Sequence, residues 1–224
     1  MVKLDKVLIL TSFPFPDGKA TSNRVKIFAT ELEKKSYIKD ITIIATNDIN
    51  NKIKYSDKIK IKNIKANLIN KDKYLKRILQ EVHTAFVLWN NALKENPNLI
   101  ILSIPSIMFL IPLLFTKTRV NIILDVRDIV WEYLPKNRIM GFAKFVIRTT
   151  FKFSTSKVKL ITTTNLNEAK LINLISKHKP LIVGNGISNE YFEILSRIPI
   201  KKLNRKINLT YLGNIGIAQE LEIL

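Results

Sequence analysis

Short apolar runs alternate with stretches of helical period along most of the chain. Residues 7–10 (Val7, Leu8, Ile9, Leu10) form an unbroken apolar run, as in a strand buried on both faces. Residues 13–21 hold Pro14, Pro16, Asp17 and Gly18 and read as a loop. Ser22 is placed to cap the helix that follows, on which Val25, Phe28, Ala29 and Leu32 share one face. Residues 41–45 give a second strand. The first 45 residues therefore predict a βαβ unit, whose crossover should be right-handed.

The same grammar repeats. Residues 47–73 are polar, and 58–65 alternate Lys with Ile or Asn, which predicts a short edge strand defended by lysines. Leu75, Ile78, Leu79, Val82, Phe86, Trp89 and Leu93 mark one amphipathic helix, closed by Pro97. Strands are predicted at 99–102, 120–124, 158–162 and 181–183, with helices at 140–153 and 165–176. This order, with strands apolar on both sides, predicts an α/β fold: a Rossmann-like, doubly wound, mostly parallel sheet with helices on both faces. Residues 99–115 carry no charge and approach the length of a membrane span, about 17–20 residues. Ser103, Pro105 and Pro112 divide them, so they read as a buried strand, a turn and a short helix. Residues 1–6 alternate polar and apolar and do not read as a secretory signal. Domain 1–194 should be followed by a linker, 195–205, containing Pro199 and several basic residues. Residues 206–224, a strand and a Gly turn, read as the opening of a second α/β domain.

Composition narrows the chemistry. Apolar residues at 46% and charged residues at 25% exclude wholesale disorder. Lys and Arg number 37 against 18 Asp and Glu, a net charge of +19 over 224 residues, which favours anionic partners. The excess is mostly lysine and accompanies abundant Ile and Asn, so biased genomic composition accounts for it equally well. Cysteine is absent, excluding disulfides, thiolate metal sites and a cysteine nucleophile. The two histidines, His83 and His178, are far apart, so a histidine-rich metal site is not expected; His83 reads as structural and His178 as a solvated loop residue. No metal and no bound cofactor are expected. Ser-His-Asp, Walker and nucleic-acid motifs are missing, and nucleic acid is not an expected partner.

In such sheets ligands bind at the carboxyl ends of the strands. Four segments are placed there. In the first loop, Gly18 and the small residues around Ser22 permit close approach, and a helix N-terminus with Arg24 suits an anion; an ordinary βα loop would look similar. Asp125-Val126-Arg127-Asp128 directly follows a buried strand. Three charges there need either a cleft facing a substrate or an internal Arg–Asp pair. Gly184-Asn185-Gly186 permits tight backbone geometry or is simply a turn. Gly213-Asn214-Ile215-Gly216 has the strand, turn, helix order of a phosphate cradle.

The helix at 140–153 also admits two readings. Lys144, Arg148 and Lys152 form one stripe, with Phe142, Phe145, Val146, Ile147, Phe151 and Phe153 over much of the remainder. This suits a basic amphipathic helix lying on an anionic membrane, or a core helix with one solvated cationic edge.

Taken together, these segments resemble the N-terminal domain of family 4 glycosyltransferases of the GT-B fold, particularly the bacterial subgroup that builds surface polysaccharides. The matching residues are Phe13-Pro14-Phe15-Pro16 with Arg24, then Ser103-Ile104-Pro105, then Asp125-Val126-Arg127-Asp128 with Trp131-Glu132. Val183-Gly184-Asn185-Gly186-Ile187 with Phe192, and Tyr211-Leu212-Gly213-Asn214-Ile215-Gly216 with Gln219, complete the series. The resemblance implies retaining transfer of a sugar from a nucleotide-sugar donor to a saccharide acceptor, often lipid-linked, by a cytoplasmic protein, peripheral at the inner face of the membrane. It implies that Gly18, Ser22 and Arg24 contact acceptor or donor phosphate. Ser103, Asp125, Arg127 and Asp128 would line the cleft, Asn185 and Gly186 would shape the hinge, and Gly213 and Gly216 would approach the donor diphosphate. The family's donor site lies mostly in a C-terminal domain, so this chain is expected to be inactive alone. Two alternatives to this shortened transferase are a non-catalytic acceptor- or membrane-binding half that works with a complementary donor-domain chain, and a basic polyanion-binding protein.

Overall fold

The structure, a computed structural model, describes residues 4–17, 20–48, 50–66, 74–104, 107–116, 120–134, 137–176, 178–187 and 189–199. It divides into two units, 1–186 and 187–224. The expected linker and following fragment lie largely outside the described residues, as do Gly18, Pro105, Gly213 and Gly216. In the second unit one helix is described, Asn189–Ser196.

The first unit is built on one sheet. Its strands are β1 (Lys6–Thr11), β2 (Asp40–Asn47), β3 (Asn51–Lys54), β4 (Ile59–Lys65), β5 (Leu99–Ile104), β6 (Asn121–Val126), β7 (Leu160–Thr163) and β8 (Leu181–Ile182). They lie in the order β3-β4-β2-β1-β5-β6-β7-β8, all parallel except β3, which runs antiparallel to β4. Between them run α1 (Ala20–Glu33), α2 (Tyr74–Lys94), α3 (Leu110–Phe115), α4 (Arg138–Thr155) and α5 (Leu166–Ile175). Leaving β3 aside, the order from β4 to β7 is that of a Rossmann sheet, with its switch point between β1 and β5.

Alternating strand residues feed two cores, because successive side chains point to opposite faces. Val7 and Ile9 pack with Ile41, Ile43, Ile59 and Ile61 under Val25 and Ala29 of α1. Leu8 and Leu10 pack with Ile44, Ile100 and Leu102 under Leu88 and Trp89 of α2, a core that extends to Leu113, Phe151 and Ile172. Both-face burial is why these strands read as continuous apolar runs. The apolar stretch at 99–115 is β5, a turn of 3-10 helix and α3, as expected. Among the described residues no helix is long and apolar enough to cross a membrane.

Two expectations are corrected. The lysine-bearing strand, β4, is interior, and the edge is β3, whose sequence NKIK has one apolar residue to signal it. The register sets Lys52 opposite Lys62 and Lys54 opposite Lys60 on one face. Carboxylates offset three of these like charges: Asp57 with Lys54 at 2.8 Å, Asp40 with Lys60 at 3.2 Å and Glu95 with Lys62 at 3.0 Å. The apolar stripe of α2 is not all core either. Ile78 and Leu79 are exposed, while Ala85, Leu88, Trp89 and Ala92 are buried. A helix of 21 residues, about 31 Å long, outruns strands of six residues, about 20 Å, so its first turns overhang the sheet.

Candidate functional site

The switch point places Thr11 of β1 beside Ser103 of β5, both buried. Next in register, Ser103 lies beside Asp125 of β6, and Asp125 beside Thr162 of β7. Four strand ends thus present a row of polar side chains after apolar runs. Asp125 is fully buried at its centre. Leu124 and Val126 turn into the α2 core, which aims Asp125 toward α1.

There it meets Arg24, in the second turn of α1. Arg24 Nε donates to Asp125 Oδ2 at 2.9 Å, and Nη2 donates to Oδ1 at 2.7 Å. Thr162 Oγ1 donates to Oδ1 at 2.7 Å and Ser103 Oγ to Oδ2 at 3.4 Å. The remaining guanidinium nitrogen, Nη1, donates to the carbonyls of Val183 at 2.8 Å and Gly184 at 3.2 Å, and to Asn185 Oδ1 at 3.4 Å. One face of Arg24 covers the Phe28 ring, 4.9 Å from its centroid. A buried ion pair is tolerated only when its spare lone pairs and protons are used, and here nearly all are.

The internal Arg–Asp pair left open in the sequence therefore exists, but its arginine is Arg24, not Arg127. Arg127 is buried beside the pair, and its Nε has no hydrogen-bond partner. Burial is the largest influence on its guanidinium. Arg24 adds to it, Asp125 and Asp128 oppose it, and the net effect lowers the pKa from the ordinary arginine value. Asp128 is exposed. Four residues on, Trp131 Nε1 is also buried and without a partner. Trp131 packs on Phe151 of α4, with ring centroids 5.5 Å apart.

Ser22 is not the expected N-cap, since α1 already begins at Ala20. Its Oγ accepts from the Asp17 N–H at 2.8 Å and closes the first loop instead. Neither Gly184 nor Gly186 has positive φ. A Cβ at Gly186 would meet nothing within 4 Å, so that glycine is not sterically demanded. Asn185 joins the cluster, and the boundary between the two units follows Gly186. His83, expected to be structural, is exposed on α2, and His178, expected in solvent, is half-buried.

Sequence reading missed two contributors. Thr162 was legible only as a hydroxyl ending an apolar strand. Glu168 is buried in the first turn of α5, where its Oε2 accepts from Thr163 and Thr164, each at 2.8 Å. Asn165 caps the same helix, its Oδ1 accepting from the Glu168 N–H at 3.0 Å. Among the described residues no group of three or more His, Asp or Glu side chains is placed to hold a metal.

The fold is that of a Rossmann-like α/β domain, with the polar cluster at the carboxyl ends of its strands. Two solved chains of sucrose-phosphate synthase from Thermosynechococcus elongatus share the fold. One matches with a TM-score of 0.54 and 10% identity, over 86% of this chain and 94% of that one. The other matches with a TM-score of 0.57 and 10% identity, over 87% of this chain and 53% of that one, so this chain spans about half its length. At such identity the likeness is one of fold. No protein-family model and no curated protein matches the sequence.

Proposed function

We propose that this chain is the acceptor-side half of a retaining glycosyltransferase of the family 4 kind. It would serve transfer of a sugar from a nucleotide-sugar donor to a saccharide acceptor, lipid-linked, in the synthesis of surface polysaccharide. The observation that carries the reading is Arg127: a buried guanidinium with an unpartnered Nε, beside an Arg24–Asp125 pair already saturated by its neighbours. A buried donor without an acceptor costs free energy and calls for an explanation, such as a ligand's oxygen. Arg24, Asp125, Ser103 and Thr162 act as positioning residues that fix the cleft floor. Arg127 supplies the charge that meets a phosphate or sugar oxygen, with Asp128 at the rim.

Retaining transfer must stabilise an oxocarbenium-like centre and a departing diphosphate with fixed dipoles and charges. The donor's share of those groups belongs to a second Rossmann-like domain, of which Gly213 and Gly216 would be the opening. The acceptor half binds, and turnover needs both halves. A general polyanion-binding role has less support, because three of the four lysines facing one way on β3 and β4 are engaged by carboxylates.

The reading is tested by calorimetric titration of the 224-residue chain with a short-chain alkyl diphosphoryl sugar, and with the same sugar lacking phosphate. Saturable binding of the phosphorylated ligand is expected, weakened at least about tenfold by Arg127→Leu with the fold intact. Absence of saturable binding to either ligand would overturn it.

A further inference from the structure

We infer that Glu168 is a positioning residue for Arg127, acting through the hydroxyl of Thr164. Its hold on Arg127 is independent of any ligand; its bearing on binding rests on the function proposed above.

Glu168 is a buried titratable group that the cleft floor does not use. It is 6% exposed, and among the described residues no lysine, arginine or histidine pairs with it. A buried carboxylate without a cation is costly unless hydrogen bonds and local dipoles hold it. Here the first turn of α5 and two hydroxyls do so. Glu168 stands three residues after the Asn165 N-cap, where the glutamate of a capping box turns back to the backbone N–H of the cap. Among the described residues its Oε2 turns instead to the hydroxyls of Thr163 and Thr164, each at 2.8 Å. The end of β7 is thereby held between two buried carboxylates. Thr162 donates to Asp125, and the next two threonines donate to Glu168.

Thr164 carries the connection to the cleft. Its Oγ1 lies 2.8 Å from Glu168 Oε2 and 3.4 Å from the Arg127 carbonyl oxygen, and it accepts from Asn165 Nδ2 at 3.2 Å. A hydroxyl has one proton to give. The carboxylate is both the nearer and the stronger acceptor, so the proton goes to Glu168. The Arg127 carbonyl is left with the long, weak contact. Without the carboxylate, the same proton is free to turn to that carbonyl and draw in the peptide that carries Arg127. Glu168 thus decides whether residue 127 is pinned to the end of β7 or left where its Nε has no protein acceptor. The influence travels through the backbone, since the charges that weigh on the guanidinium are Asp125, Arg24 and Asp128. Thr163 is the internal comparison. It meets the same carboxylate at the same distance and, among the described residues, makes no side-chain contact with Arg127.

The test reads Arg127 directly. In the isotope-labelled full chain, the Arg127 Nε–H resonance is assigned by its loss in Arg127→Leu. Glu168→Ala should shift it, and so should Thr164→Val, which removes the relay. Glu168→Gln keeps an acceptor oxygen for the hydroxyls and should restore most of the parent's position. Thr163→Val should leave the resonance in place. In a Thr164→Val background, Glu168→Ala should move it no further. In the calorimetric titration, Glu168→Ala should weaken binding of the alkyl diphosphoryl sugar at least about threefold, and Glu168→Gln by less than about twofold. An unmoved resonance in Glu168→Ala, or an equal shift in Thr163→Val, overturns the inference. Should Glu168→Ala fail to fold, an unmoved resonance in Thr164→Val overturns it equally. A parent chain that binds neither sugar ligand overturns the proposed function and leaves the resonance to decide the role of Glu168.

Discussion

Arg24 and Asp125 close a two-pronged ion pair across 101 residues of sequence, with side chains 5% and 0% exposed. Through Nη1 the same guanidinium holds the backbone after β8. One side chain thus sets the mutual positions of the first helix, the central strand of the site and the segment leading to the unit boundary.

Removing one partner should leave the other buried and uncompensated. Asp125→Ala is expected to cost about 3–5 kcal/mol. Replacing the pair together, Arg24→Met with Asp125→Leu, should recover much of that loss, since two apolar groups leave no orphan charge. Urea unfolding of the three proteins checks this. A cost below about 1 kcal/mol for Asp125→Ala would show that the pair does not hold the site together.

Among the described residues, the Thr162 hydroxyl meets only Asp125. Thr162→Val should cost about 1.5–3 kcal/mol, the range for a hydrogen bond to a charged group. In an Asp125→Ala background the same change should cost close to nothing. The coupling energy from that double-mutant cycle is the discriminating quantity, since a packing effect of the lost hydroxyl would persist in both backgrounds.

The layered order of the fold was legible because burial on both faces writes itself into sequence as unbroken runs such as Val7 to Leu10. β3 was not, because Asn51–Lys54 is a strand by virtue of its bonds to β4 and buries none of its own side chains. The overhang of α2 was hidden for a related reason: Ile78 and Leu79 keep the helical period after the sheet beneath them has ended. Arg24 and Asp125 were each visible as candidates, one in a loop-helix junction and one at a strand end. Their pairing was not, since Arg127 was the nearer arginine in sequence and only the sheet order brings α1 over β6. Neither Gly184 nor Gly186 takes the positive φ open to it, as glycine signals a permitted conformation rather than an adopted one.

Glu132 carries a pH dependence whose sign is fixed. Burial weighs against its charged form, but hydrogen bonds from Arg148 and Lys144 and their charges outweigh it, so the carboxyl is held below its ordinary value. A group depressed in the folded state stabilises above its unfolded pKa, about 4.3, and loses that contribution as pH falls through the folded value. The half-exposed Arg148 is partly screened by solvent, which limits the effect to about 1–2 kcal/mol. Glu132→Gln should therefore be less stable than the parent at pH 7, with the gap closing as the pH is lowered below that unfolded value. A gap that is constant across that range would place the effect in packing rather than in charge.

Arg127 should separate stability from binding. Its guanidinium stays charged despite burial, because arginine does not give up its proton in proteins, and its Nε lacks an acceptor. The free chain thus bears the cost of an unsatisfied donor, and Arg127→Leu should hold or raise the urea-unfolding free energy, by up to about 1 kcal/mol. The same substitution should abolish the phosphate-dependent part of sugar-ligand binding, leaving affinity for the unphosphorylated sugar little changed. A residue kept for the fold would behave in the opposite way: stability would fall, and both ligands would weaken together as the loop from 127 to 131 lost its shape. Measuring both ligands on the folded variant decides between the two, and a fall in stability of more than about 2 kcal/mol would assign Arg127 to the fold.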